Sequence, residues 1–279
     1  MIHCLLKLVK LFSLISIIFS FSSALLANDR IIIGTTTSTY DSGLMPYLAN
    51  IFQNNCNCKI HVITQGTGQV IRNAMRGNID VLIVHDEKTE EKFMTQGYGI
   101  ERHNFMYNNF VIVGPKKDPA NIENVLSIKE AMENIYNSKS HFISRGDDSG
   151  THNKEISLWR FANLDPKSFG SWYMEIGQGM GASLTLANAK EAYTLTDIGT
   201  LIYFNNSHNL KILYKEQKNL MNQYSVILVE PSLRGNNNFH LSKKFVNWIL
   251  SKSVQEIIND YRVNGHQLFF PNSENYKNN

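Results

Sequence analysis

Only three of the 279 residues are cysteine, too few for a disulfide-built scaffold. Cys4 precedes an apolar run, so it cannot serve as a lipid-bearing cysteine at a cleavage point. Cys56 and Cys58 remain. They could bridge to each other, although a Cys-x-Cys ring is strained, or join His61 as metal ligands. A fourth ligand is missing and the spacing fits no zinc pattern, so the pair reads as structural. No basic run alternates with aromatics, and the formal net charge is only +3, which speaks against nucleic acid. There is no Walker lysine, no Gly-x-Ser-x-Gly elbow, no internal repeat and no low-complexity tract. The longest apolar stretch, near the start, is somewhat short for a membrane span and broken by serines, which leaves a membrane anchor as the less favoured reading of it.

What the chain does have begins at its start. Lys7 and Lys10 precede the apolar run Leu11–Leu26, which ends near Ala27. A basic segment, an apolar segment and a small residue make a secretory signal peptide over residues 1–27, and imply export to the periplasm. The remaining 250 or so residues suggest two domains. The tail after Pro271 is asparagine-rich.

Three segments share one grammar of strand, hydroxyl- or glycine-rich loop and helix. Arg30–Gly34 is a β-branched run that breaks into Thr35-Thr36-Thr37-Ser38-Thr39, before a helix whose Leu44, Leu48, Ile51 and Phe52 share a face. Lys59–Thr64 leads through Gly66-Thr67-Gly68 into a helix over 69–76. His141–Ser144 leads through Arg145–Gly150 into a helix over 151–161. Repetition of this unit predicts an α/β fold with mostly parallel sheets. Two similar buried strands, 109–115 and 224–231, suggest two crossings between domains. On that reading residues 28–114 and 223–279 form lobe I and 115–222 form lobe II, with a ligand cleft between them.

Gly146-Asp147-Asp148-Ser149-Gly150 invites a serine-hydrolase reading. The loop joins a strand to a helix, and His152 has no paired acid in sequence, so that reading is remote. Gly66-x-Gly68 and Gly177–Ala182 are off-pattern for dinucleotides and read as tight turns. An anion reading fits better. Helix starts expose unpaired N–H groups, hydroxyls add neutral donors, and Arg145 adds a permanent charge. The bland alternative, that each Ser or Thr only caps its own helix, applies to one loop more easily than to three.

The runs Thr35–Leu44, Ser144–Glu155, Gly179–Leu184 and Ala192–Asp197 resemble the tungstate-binding proteins of tungstate ABC importers. The resemblance spans essentially all of the chain after the leader. It implies a type II periplasmic binding protein fold with one tungstate between two lobes. It places Thr36, Thr37 and Ser38 in the first binding loop, Thr67 in the second, and Arg145, Ser149 and Thr151 in the third, supported by Asp147 and Gly150. It further implies no catalysis, no cofactor and no bound metal ion other than tungsten as tungstate. The implied partners are the importer's membrane permease and its ATPase, with the chain itself a monomer. Ile198 departs from the pattern, where a basic residue is expected. Phosphate- and molybdate-binding proteins of the same fold are the alternatives, and the Arg-x-Asp-x-Ser-Gly-Thr run at 145–151 also resembles the phosphate binders. Phosphate keeps a proton at neutral pH and calls for a carboxylate acceptor, which Asp147 or Asp86 could supply; tungstate and molybdate call for donors only.

Overall fold

The computed structural model describes residues 30–204, 208–216, 218–234 and 238–277. The leader read over residues 1–27 lies outside them. No helix among the described residues is long and apolar enough to cross a membrane.

β1 (Arg30–Thr36) lies between β2 (Lys59–Gln65) and β3 (Val81–Val84), all parallel. Short helix α1 (Thr37–Asp41), α2 (Leu44–Cys56) and α3 (Thr67–Met75) connect them. The apolar spacing on α2 buries Leu44, Leu48 and Phe52 as its periodicity predicts, and Cys56 is disulfide-bonded to Cys58 just past its end. After α4 (Glu87–Thr95) comes the long strand β4 (Gly99–Pro115). Its first part pairs antiparallel with β9 (Met221–Val229), which in turn pairs antiparallel with β3.

β4 then changes partners. Gly99–Asn109 lies along β9, whereas Phe110–Pro115 lies along β7 (Thr194–Asp197) and β8 (Leu210–Tyr214). A single strand thus runs from one half of the molecule into the other, and the strand read as belonging wholly to lobe I switches sides at Asn109/Phe110. The second half is built from α5 (Ile128–Ser138), β5 (Phe142–Ser144), α6 (Gly150–Phe161), β6 (Tyr173–Glu175), α7 (Met180–Lys190) and α8 (Ile198–Tyr203). α9 (Phe239–Ile249), α10 (Lys252–Asp260) and β10 (Phe270–Pro271, on β4) return to the first half.

The fold is therefore a mixed α/β pair of lobes. Parallel pairing holds within the strand–loop–helix units, β1–β2, β1–β3 and β5–β6. It does not hold for β4 and β9, which run in opposite directions and pair antiparallel. Each lobe has its own core. Ile31, Ile33, Leu48, Phe52, Val226 and Phe245 fill one, and Phe142, Leu158, Trp159, Trp172 and Tyr193 the other.

Candidate functional site

Arg145 follows the last residue of β5, at the carboxyl end of that strand. The loop after it folds back tightly. Gly146 has φ +58°, and a Cβ there would meet Glu175 Cβ at 2.8 Å, so the position requires glycine. Asp148 is also left-handed, at φ 59°. Asp147 fixes the arginine: its Oδ2 accepts from Nε at 3.1 Å and from Nη2 at 2.5 Å. Its Oδ1 accepts the Ser149 amide at 3.2 Å. Burial acts to raise the Asp147 carboxyl, but the Ser149 hydrogen bonds and the adjacent guanidinium outweigh it and hold the group below the usual carboxylate range. The carboxylate stays ionised and the guanidinium stays planar and aimed. Arg145 is only 8% exposed, and its Nη1 reaches Thr151 Oγ1 at 3.5 Å. A guanidinium carries five N–H donors, so two of its five remain for a ligand.

Ser149 is the N-cap of α6, its Oγ accepting the His152 amide at 3.3 Å. The amides of Gly150 and Thr151 have no protein acceptor among the described residues. The second loop repeats the arrangement. Gly66 precedes α3 with no side-chain cap, Thr67 is buried as the first helical residue, and the amides of Thr67 and Gly68 are likewise without a protein acceptor among the described residues. Unpaired amides at a helix start are donors facing a region of positive potential.

In the first loop, Thr35 donates to the Ile83 carbonyl at 3.0 Å, which ties β1 to β3. Thr36 is buried, its Oγ1 2.8 Å from that of Thr39. Thr37 is exposed at the start of α1. The Ser38 side chain lies outside the described residues.

The loops come from different lobes, and the lobes touch. Asp86, at the end of β3, caps α4 through Thr89, and its Oδ2 accepts from Asn153 Nδ2 of α6 at 2.9 Å. The neighbouring His85 ring lies against Gly150: a Cβ on that glycine would sit 3.2 Å from His85 Cε1 and 3.3 Å from Nδ1. α1 packs against α8.

Sequence reasoning missed His85 and the buried chain behind it. His85 Nδ1 is 2.8 Å from Asn222 Oδ1. Asn222 Nδ2 donates to Asn108 Oδ1 at 2.8 Å, and Asn108 Nδ2 to Asp197 Oδ1 at 3.4 Å. Asp197 caps α8 by accepting from Thr200 N at 2.9 Å and Thr200 Oγ1 at 2.6 Å. Because a carboxylate only accepts, it sets the direction of both amides, and His85 Nδ1 must carry the hydrogen. Burial pushes the imidazole below the ordinary histidine range. The signal in sequence was two asparagines, Asn108 and Asn222, each shortly before the apolar part of its strand. Ile198, the departure from the expected pattern, is the first residue of α8 and half-buried.

A second missed residue is Glu155, one turn along α6 from Thr151. It is 2% exposed, and its Oε1 accepts from Tyr173 OH at 2.7 Å and Trp159 Nε1 at 3.0 Å. Burial raises its pKa to about 7.

Among the described residues no imidazole accepts the Ser149 hydroxyl, as the hydrolase reading would require. His152 Nδ1 accepts from the Asp148 amide at 3.2 Å, and its Nε2 lies 3.6 Å from Glu175. The arrangement presents amides, hydroxyls and one guanidinium, which is a means of holding an anion.

Comparison with known proteins agrees. A family model, the PBP superfamily domain, matches residues 23–253. The chain is 41% identical over 251 residues to the tungstate-binding protein TupA of Peptoclostridium acidaminophilum, covering 88% of this chain and 87% of that one. Among solved structures, the tungstate-binding protein TupA from Desulfovibrio alaskensis G20 superposes with TM-score 0.78 at 37% identity, over 88% of this chain and 99% of that one. The tungstate ABC transporter structure from Geobacter sulfurreducens gives TM-score 0.77 at 42% identity, over 84% and 100%. With all three loops inside the matched span, the chain belongs to the PBP superfamily and, within it, to the family of the TupA tungstate-binding proteins.

Proposed function

We propose that the protein captures tungstate in the cleft between its lobes and delivers it to the membrane permease of an ABC importer, acting in the periplasm as a monomer without catalysis or cofactor. On this reading lobe I ends and resumes where β4 changes partners, near Asn109 and Met221. Arg145 supplies the one full positive charge. Thr36, Thr37, Ser38, Thr67, Ser149 and Thr151 supply hydroxyls, and the starts of α3 and α6 supply amides.

The observation that carries the reading is the state of Asp147 and Asp86, the two carboxylates that could serve as a proton acceptor. Asp147 is ionised and engaged by Arg145 and Ser149. Asp86 is engaged by Thr89 and Asn153. Both carboxylates already accept from protein donors, which supports a fully ionised oxyanion over phosphate. Tungstate and molybdate are alike in shape and charge, and it is the family that favours tungstate.

Equilibrium dialysis of the purified protein against tungstate, read by tungsten analysis, should return one anion per chain. Tungsten at the level of a buffer blank would refute the reading.

A further inference from the structure

We propose that His85 is a positioning residue of the anion site: its ring, held from behind through the hinge, is the stop against which the start of α6 closes. The inference rests on the oxyanion reading above.

Three observations carry it. First, the ring is immobilised. Its Nδ1 is bound to Asn222, its face packs on Tyr224 with centroids 4.8 Å apart, and the Asn222–Asn108–Asp197 chain behind it is buried. Second, that chain runs through Asn222 at the start of β9 and Asn108 of β4, next to the point where β4 changes partners, and ends on the cap of α8 in lobe II. The stop is therefore referenced to the hinge itself. Third, the ring meets α6 at Gly150, the residue whose amide and neighbours Ser149 and Thr151 form the cradle, and Asp86 grips Asn153 one turn further on. A side chain at 150 would enter the space between helix and ring. Glycine there is thus explained by the approach of the opposite lobe, since a glycine at a helix start is otherwise less favourable than alanine. Residues that fix how far a cleft closes change how long a ligand stays more than how fast it arrives.

The test is a two-by-two set: wild type, Gly150→Ala, His85→Ala and the double variant. Each is titrated with tungstate, followed for tungstate dissociation, and melted without anion. Gly150→Ala should melt at or slightly above wild type, because alanine favours the helix. It should bind tungstate about five- to a hundredfold more weakly, through faster dissociation, because overpacking a closed contact costs that much. In the His85→Ala background the same change should have little further effect, because the atoms it meets are gone. Unchanged affinity and dissociation in Gly150→Ala would overturn the proposal. So would an equal loss in both backgrounds, which would mean the methyl meets the anion rather than the ring. A wild type that binds no tungstate would sink the oxyanion reading instead. The stop would then be judged by X-ray scattering of the anion-free proteins, where a radius of gyration in Gly150→Ala no larger than wild type would overturn it.

Discussion

Arg145→Ala weakens tungstate binding by about thirty- to several-thousandfold, because truncating one side of a buried, hydrogen-bonded charge pair costs roughly 2–5 kcal/mol. The structure gives reason to expect the upper part of that range. Arg145 is buried and neutralises Asp147. Without it the dianion loses its one cation and also faces an ionised carboxylate at the same strand end. Arg145→Lys should recover only part of the loss, since lysine keeps the charge and loses the fork that grips Asp147 in two places. Thr67→Ala and Ser38→Ala remove neutral donors and should cost about 1–2 kcal/mol each. Isothermal titration separates these cases. A dissociation constant within about twofold of wild type in Arg145→Ala would mean that the guanidinium serves only Asp147.

Glu155→Gln should remove a pH dependence of stability that wild type shows between about pH 5 and 8. A glutamate in the unfolded chain titrates near 4.5, whereas burial keeps Glu155 protonated in the fold up to about 7. The folded state thus binds this proton more tightly. Its stabilising contribution is complete below pH 4.5 and is lost as pH rises through about 7. The whole effect amounts to about 3 kcal/mol, taking roughly 1.4 kcal/mol for each pH unit between the two values. Glutamine stays neutral throughout and still accepts from Trp159 and Tyr173. The variant should therefore match wild type near pH 5 and exceed it near pH 8 by up to that amount, measured by denaturant melts. Parallel wild-type and variant curves would show that Glu155 ionises as an ordinary carboxylate.

Much of this was legible in the residues. The strand–loop–helix units announced themselves because β-branched runs, glycine or hydroxyl turns and 3.6-residue spacing are local signals, and β1–α2, β2–α3 and β5–α6 lie where they indicated. The contacts within the third loop were legible for the same reason: Arg145, Asp147, Ser149 and Thr151 fall within seven consecutive residues and interact with one another. What was not legible depends on residues far apart. The antiparallel pairing of β4 with β9 joins segments more than a hundred positions apart, and nothing in either run marks its direction. The partner change at Asn109/Phe110 leaves no trace in a strand that is continuously apolar beyond it. His85 carries no local signal, because its neighbours Asn222 and Gly150 are brought to it only by the fold. Glu155 likewise carries no local signal, because Tyr173, eighteen positions away, helps enclose it only in the fold.

The central claim is that the cleft is a donor-only cradle for a fully ionised tetrahedral anion. Competition calorimetry tests it most directly: tungstate is titrated into the purified protein with and without excess phosphate, on the acid and the alkaline side of phosphate's second ionisation. The account predicts that phosphate leaves the apparent tungstate constant unchanged on both sides, while molybdate lowers it. Phosphate that competes, and competes better on the acid side where it carries its extra proton, would reveal a carboxylate acceptor in the site and contradict the account.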